Sequence, residues 1–210
     1  MSSVFDGEPA DTREAIMRAT YEALREYGYA GLSISRIADR ADLSKSSLYN
    51  HYDGKDDLLL DFVDFTIGQF VDAMGENGTD DPLLELEAFL SFGFPGSDHE
   101  KSVRPLPPAE PHGSFVELRA QAVHDDTFRE RFTGVDSLMK DRIRGIIERG
   151  QDSGVFRDVD PESVAETLLT LTMGMLTRRA TNDDPQLDRV RAEVDRWIET
   201  RLLAPDVEWR

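Results

Sequence analysis

The chain has 210 residues, and 39% of them are hydrophobic, which is enough to bury the core of one large domain or two small ones. The absence of cysteine excludes disulfides, thiolate nucleophiles and cysteine-ligated zinc sites. No stretch reaches the roughly 18 to 20 apolar residues that a membrane span requires, and the first eleven residues are polar and acidic rather than typical of a signal peptide. We therefore expect a cytoplasmic protein with no membrane partner.

The charge is unusual, because the formal net charge of −18 should repel nucleic acid at long range. The sequence contains 25 Asp and 17 Glu against 20 Arg and only 4 Lys. Such a surface suits a cytoplasm at molar salt, where the electrostatic screening length falls to about 3 Å. We interpret the charge as a sign of a halophilic habitat, and the alternative is an ordinary acidic protein.

The first 75 residues predict four helices. Asp11 and Glu14 form a capping box that begins the first helix, and Gly28 and Gly31 end it. Two short helices follow, at residues 33–40 and 44–52, with only three residues between them. A longer helix begins near Lys55 and carries buried-type apolar residues to about residue 74.

The rest of the chain also shows helical periodicity and no strand pattern. A helix follows Pro82, and the segment 95–113, with five prolines, predicts a loop. Further helices are predicted at 114–124, 126–150, 161–181 and 185–203. The predicted fold is all-α, with a three-helix helix-turn-helix head at residues 11–71 and a helical body at residues 72–210.

The two short helices form a helix-turn-helix at about residues 33–52, and the second of them has the surface of a DNA-reading helix. Its early residues are small or basic, so its backbone could approach the major groove, and its later residues carry hydrogen-bonding tips. Residues 33–55 hold four cations and three anions, a local charge of +1 in a chain of −18. The predicted DNA-binding residues are Ser33, Arg36, Ser44, Lys45, Ser46, Ser47, Tyr49, Asn50, His51, Tyr52 and Lys55.

Three segments of this region resemble the TetR family of transcriptional regulators: Gly31-Leu-Ser-Ile-Ser-Arg-Ile-Ala38, Ala41 with Leu43-Ser44, and Leu48-Tyr49-x-His51-Tyr52-x-x-Lys55-x-x-Leu58. The resemblance covers about residues 11–71 and implies that the second helix enters the major groove while Tyr49 and Lys55 hold phosphates. Two positions depart from the family pattern. Asp42 replaces a common glycine, although Asp tolerates the left-handed backbone at some cost, and Tyr52 replaces a common phenylalanine. The alternative is a three-helix head that binds no DNA.

The body is similar to AcrR- and BetI-like C-terminal domains around residues 128–132 and 154–157. Apolar residues wrap most of the helix at 161–181, which indicates a second buried face and hence a partner, and the last helix carries a narrower apolar seam. The family resemblance implies a dimeric four-helix bundle, and the alternative is that both helices pack inside one subunit. The predicted interface residues of the homodimer are Leu168, Leu171, Met175, Val190, Val194 and Trp197.

Aromatic and thioether side chains in the central helices, beside the proline-rich loop as an entrance, predict a pocket for a small, largely apolar effector. Its predicted lining is Phe89, Phe92, Phe115, Arg119, Met139 and Met173, and the alternative is that these residues fill the core. The spacing of His99, His112 and His124 matches no compact metal motif, so neither a metal nor a cofactor is predicted.

An enzyme is the main rival to a DNA-binding regulator. The sequence lacks Gly-x-Ser-x-Gly, a phosphate-binding glycine loop and His-Glu-x-x-His, so no catalytic residue is predicted. We expect a ligand-responsive regulator that binds a near-palindromic operator as a dimer, and family habit favours a repressor. A protein-interaction module that has lost DNA binding is the third possibility.

Overall fold

The computed structural model describes residues 8–76, 80–93 and 112–209. Within these ranges the chain forms nine α-helices and a closing π-helical turn at Ile198–Leu202, which confirms the all-α prediction. The predicted proline-rich loop lies almost entirely outside the described residues. The helices are α1 (Thr12–Gly31), α2 (Ile34–Arg40), α3 (Lys45–Tyr49), α4 (Lys55–Glu76), α5 (Pro82–Gly93), α6 (His112–Gln121), α7 (Asp126–Asp152), α8 (Pro161–Thr181) and α9 (Leu187–Trp197).

Local hydrogen bonds explain where the first helix begins and where it kinks. The carboxylate of Asp11 accepts the backbone N–H of Glu14 at 2.8 Å, and the Glu14 carboxylate accepts the N–H of Ala10 at 2.7 Å. These bonds satisfy N–H groups that have no partner within the helix. Gly28 has φ 63° and ψ 173°, a conformation that kinks the helix and that suits a residue without Cβ.

The described residues divide into two compact units. The first, called the head unit below, contains the residues up to 71 together with residues 112–132. The second, the body unit, contains residues 72–76, 80–93 and 133–209. Helix α6 and the start of α7 therefore belong to the same unit as the helix-turn-helix, and α6 packs against α1.

The core of the head unit joins residues far apart in the sequence. Leu48, Leu58 and Leu59 are completely buried, as are Ile37 of α2 and Met17 of α1. Since burying one such side chain contributes about 1.5–3 kcal/mol, these contacts hold the two short helices in place, although helices of five and seven residues are not stable alone.

Paired arginines surround a buried carboxylate in the body unit. Glu85 of α5 is 7% exposed and accepts hydrogen bonds from Arg142 Nη2 at 3.1 Å and from Arg149 Nη2 at 2.7 Å. Glu87 of the same helix pairs with Arg191 of α9. A buried carboxylate is costly unless it is paired, so these contacts fix α5 against α7 and α9.

The segment at residues 154–157 has a structural role. The ring of Phe156 packs on Gly150, where an added Cβ would lie only 2.0 Å from its Cδ2. The backbone N–H of Arg157 donates to Leu202 O at 2.8 Å, and the N–H of Ala204 donates to Val155 O at 2.9 Å. These hydrogen bonds hold residues 202–204 against the segment at residues 154–157, within the body unit. No helix in the described ranges is long and apolar enough to cross a membrane.

Candidate nucleic-acid interface

The turn between α2 and α3 has the left-handed backbone that was expected at position 42. Asp42 adopts φ 53°, in the left-handed region, where an aspartate is tolerated more readily than most residues. The N–H of Leu43 donates to Ala38 O at 3.0 Å and closes the turn. Ser33 and Ser44 cap the two helices, because each hydroxyl accepts the N–H of the residue three positions later.

Helix α3 is anchored by one side chain and presents a polar face. Leu48 is completely buried, whereas Tyr49 is 51% exposed. Lys45, Ser46, Asn50 and His51 are also exposed, Ser44 is exposed, and Ser47 is half-buried. The ammonium of Lys45 lies 5.8 Å from the centre of the Tyr49 ring. The hydroxyls of Ser46 and Ser47 each lie 2.9 Å from that of Ser44, so three predicted residues form one small hydroxyl cluster.

The arginines of α2 differ in how much charge they leave available. The Arg36 guanidinium stacks 4.2 Å from the centre of the Tyr27 ring and donates to Gly31 O, which holds it at the surface without a carboxylate partner in the described contacts. Arg40 instead pairs with Glu26 and, at 3.3 Å, with Glu22. Arg40 is therefore paired directly with two carboxylates of α1, whereas Arg36 feels Glu26 only at longer range and keeps more of its charge for a phosphate.

Lys55, at the start of α4, is held by Tyr29. Its ammonium lies 3.8 Å from the centre of the Tyr29 ring and donates to Tyr29 O at 3.3 Å. A lysine carries three N–H donors, so this arrangement positions the ammonium and leaves donors for a phosphate. The Tyr29 hydroxyl donates to Asp56 Oδ1 at 3.0 Å, and burial together with this bond raises the pKa of Tyr29.

Tyr29 also joins α1 to α6 and α7 within the head unit. Its backbone N–H donates to Glu117 Oε2 at 2.8 Å, and its ring meets Phe128 edge-on with centroids 6.4 Å apart. The Glu117 carboxylate fits because Gly28 has no side chain, since a Cβ there would lie 3.2 Å from Glu117 Oε1. Sequence reasoning missed Tyr29 and Glu117, which are 88 positions apart and show no local pattern.

The structure revises the prediction that Tyr52 contacts DNA. Tyr52 is 9% exposed, and its hydroxyl donates to Asp61 Oδ2 at 2.7 Å. Asp61 also accepts from Arg13 Nε at 3.1 Å and Nη2 at 2.6 Å. Burial by itself would raise the pKa of Asp61, but the bonds from Arg13 and Tyr52 outweigh it, and the pKa is lowered. Tyr52 therefore fixes the end of the helix-turn-helix to α4.

The residues predicted to line an effector pocket divide between the two units. Phe115 and Arg119 belong to the head unit, where Phe115 meets Phe132 edge-on at 5.4 Å and the Arg119 guanidinium lies 5.4 Å from the same ring. Phe89 and Met139 are buried in the body unit, and Met173 there is half-buried. The side chain of Phe92 lies outside the described part of the chain. The pocket stays a prediction.

The residues predicted to form the dimer interface separate by burial. Leu168, Met175 and Val194 are at most 5% exposed in the single chain, so they pack within their own subunit and not, as predicted, against a partner. Leu171, Val190 and Trp197 are half-buried. These three remain available for a partner, because a partly exposed apolar side chain still gains from burial.

Residues 16–62 match the family model described as bacterial regulatory proteins, tetR family, and residues 111–203 match the BetI-type transcriptional repressor C-terminal domain. A TetR transcription regulator from Haloarcula marismortui is 36% identical, with a TM-score of 0.78, over 92% of this chain and 99% of that one. The HTH-type transcriptional repressor AcnR of Corynebacterium efficiens is 24% identical over 98% of this chain and 100% of its own.

A further solved structure, a transcriptional regulator from Saccharomonospora viridis in complex with choline, shares the fold at 19% identity and a TM-score of 0.71, over 91% of this chain and 97% of that one. The first match covers most of α1, both short helices and the start of α4, and the second covers α6 to α9. The relative at 36% identity extends over nearly the whole of both chains. The protein is thus a DNA-binding transcriptional regulator, and it belongs to the TetR family.

Proposed function

We propose that this regulator is a repressor that binds a near-palindromic operator as a homodimer and is released by a small-molecule effector. The observation that carries the proposal is the polar face of α3, which Leu48 anchors and on which Lys45, Ser46 and Tyr49 are exposed. No acidic residue lies within α3, in a chain with 42 of them. Such a face suits hydrogen bonds to base edges and phosphates.

The outer face of α8 supports the dimer. Leu171 is half-buried there, and Gly174 is exposed with no atom within 4 Å of an added Cβ. A small residue allows another helix to approach closely. Val190 and Trp197 of α9 offer further apolar surface. A two-fold dimer would present two recognition helices about one helical turn of DNA apart, or a small multiple of it, and the operator should then be near-palindromic.

The contacts of Tyr29 suggest how an effector signal could reach DNA. A shift of α6 would move Glu117, which holds the backbone of Tyr29, and Tyr29 in turn holds the ammonium of Lys55. The position of a phosphate-binding lysine would therefore depend on the position of α6. The name of AcnR supports repression, and the choline complex of the Saccharomonospora regulator supports a small-molecule effector.

The acidic surface fits the same function in a cytoplasm rich in salt. At molar salt the roughly 3 Å screening length would leave the contacts of the head unit to act at short range. The acidic composition is the basis for proposing a halophilic habitat, and the similarity to the regulator from Haloarcula marismortui agrees with that habitat. No catalysis forms part of the proposed function.

The experiment is operator binding in potassium chloride, with random duplex as the reference. Footprinting should show two half-sites related by a dyad. Lys55→Met should weaken specific and random binding alike, and it should reduce the slope of log affinity against log salt by about 0.9 for each subunit if each lysine neutralises one phosphate. Lys140→Met is the matched control, because Lys140 lies in the body unit and pairs with Glu166 at 3.1 Å.

A footprint without dyad symmetry would contradict the dimeric mode of binding. A slope unchanged by Lys55→Met, or reduced equally by the Lys140 control, would remove Lys55 from the phosphate contacts. If the protein bound every tested promoter fragment no more tightly than random duplex, a protein-interaction module would be favoured instead.

A further inference from the structure

The guanidinium of Arg36, on α2, is held by an aromatic ring and a backbone carbonyl. It lies 4.2 Å from the centre of the Tyr27 ring and donates to Gly31 O. Glu26, which pairs with Arg40, influences Arg36 only at longer range. A guanidinium has five N–H donors, so the bond to Gly31 leaves most of them for another partner.

Gly31 allows this arrangement because it has no side chain. A Cβ there would lie 3.2 Å from Tyr27 Cβ and 3.4 Å from Arg36 Nη1, which is tighter than ordinary van der Waals contact. Tyr27 and Gly31 belong to the end of α1, so the Arg36 side chain bridges α1 and α2. The position of the guanidinium is therefore set by α1, although Arg36 itself is exposed.

Lys55 is held in the same manner as Arg36. Its ammonium lies 3.8 Å from the centre of the Tyr29 ring and donates to Tyr29 O at 3.3 Å. Tyr27 and Tyr29 stand on either side of the kink at Gly28. Two of the predicted DNA-binding cations are thus held by the end of α1, each by a tyrosine ring together with a main-chain carbonyl.

An aromatic ring positions a cation without cancelling its charge. Arg40, also on α2, pairs with Glu22 and Glu26. A tyrosine ring instead attracts a cation through its quadrupole and adds no net charge. In a chain with a net charge of −18, such a cation counteracts the repulsion of DNA at short range. The first helix of a helix-turn-helix crosses the DNA backbone, so an exposed cation on α2 is well placed for a phosphate.

We propose that Tyr27 is a positioning residue for DNA binding, whose ring holds the Arg36 guanidinium in the orientation that meets a phosphate of the operator. The ring acts through Arg36 and makes no DNA contact of its own. A side chain that is already in place loses less conformational freedom on binding, which is equivalent to about two- to tenfold in affinity for each half-site. This inference rests on the proposed operator complex, in which Arg36 contacts a phosphate.

The test is a double-mutant cycle on the full chain. Binding to the duplex that footprinting identifies as operator, and to random duplex of the same length, is measured by fluorescence anisotropy at several potassium chloride concentrations. Arg36→Met should weaken binding and reduce the slope of log affinity against log salt by about 0.9 for each subunit, because one phosphate contact is lost. Lys140→Met, in the body unit, is the control for the loss of one charge.

The Tyr27 variants distinguish positioning from charge. Tyr27→Leu should weaken operator binding about two- to tenfold for each half-site and leave the salt slope unchanged, because Arg36 keeps its charge. In the Arg36→Met background, Tyr27→Leu should weaken binding no further. Tyr27→Phe is the matched control, since it keeps the ring, and it should bind operator as the wild type does.

Equal weakening by Tyr27→Leu with and without Arg36 would overturn the inference, and a variant that merely misfolds would give that result. A salt slope unchanged by Arg36→Met, or a Tyr27→Phe variant as weak as Tyr27→Leu, would also overturn it. Random duplex separates this inference from the proposed function. If the wild type preferred no operator, the proposed function would fail, but the coupling between Tyr27 and Arg36 would still be measurable on random duplex, because phosphate contacts are independent of sequence.

Discussion

Two tyrosines three positions apart should respond in opposite ways to the same substitution. Tyr49 is 51% exposed on the polar face of α3, and Tyr52 is 9% exposed and bonded to Asp61. Replacing each by phenylalanine removes one hydroxyl and keeps the ring. Tyr52→Phe should therefore reduce stability and leave the operator affinity of the folded protein unchanged. Tyr49→Phe should weaken operator binding and leave stability unchanged.

The size of the Tyr52 effect follows from its hydrogen bond. A bond to a charged group contributes about 1.5–3 kcal/mol, but Asp61 keeps two bonds from Arg13 and its side chain is 28% exposed, so water can replace the lost hydroxyl. We expect a loss of about 1–2 kcal/mol, equivalent to a Tm lower by roughly 2–8 °C in a protein of this size. Thermal unfolding and fluorescence anisotropy with a labelled operator measure the two quantities.

The pH dependence provides a second measurement on Tyr52→Phe. The pKa of Asp61 is lowered in the folded protein, so its contribution to stability is present above the unfolded pKa of about 3.9 and is lost as the pH falls through the folded pKa. Tyr52→Phe removes one cause of that lowering. The difference in stability between variant and wild type should narrow below about pH 4. A variant with unchanged Tm and weakened operator binding would refute the assignment of Tyr52 to the core.

Two further predictions concern the subunit contact and the link to α6. Leu168→Arg should unfold the protein, because it buries an unpaired charge at a position that is 0% exposed. Leu171→Arg, at a half-buried position, should instead give a folded monomer in sedimentation at high salt. A folded Leu168 variant or a dimeric Leu171 variant would contradict this prediction. Glu117→Ala should lower operator affinity and also the slope of log affinity against log salt, because the backbone N–H of Tyr29 loses its acceptor. Glu130→Ala is the control, since Glu130 is exposed. Equal operator affinities in the two variants would show that Glu117 does not position Lys55 through Tyr29.

The fold class and the local geometry of the helix-turn-helix could be predicted from the sequence. The helical period, the capping residues Asp11, Ser33 and Ser44, and the left-handed residue at position 42 all act through neighbours a few positions away. The family resemblance extended this to the DNA-binding surface. The contrast of a buried Leu48 with an exposed Lys45 also follows from periodicity alone.

Tertiary packing decided which of the chemically similar side chains remain accessible. Tyr49 and Tyr52 have the same chemistry, but only the packing of α4 against the turn places Asp61 beside Tyr52. Leu168 and Leu171 differ because one face of α8 is covered by its own subunit. Glu117 meets Tyr29 across 88 positions, a contact that no local pattern encodes, since long-range pairs depend on how complete helices pack.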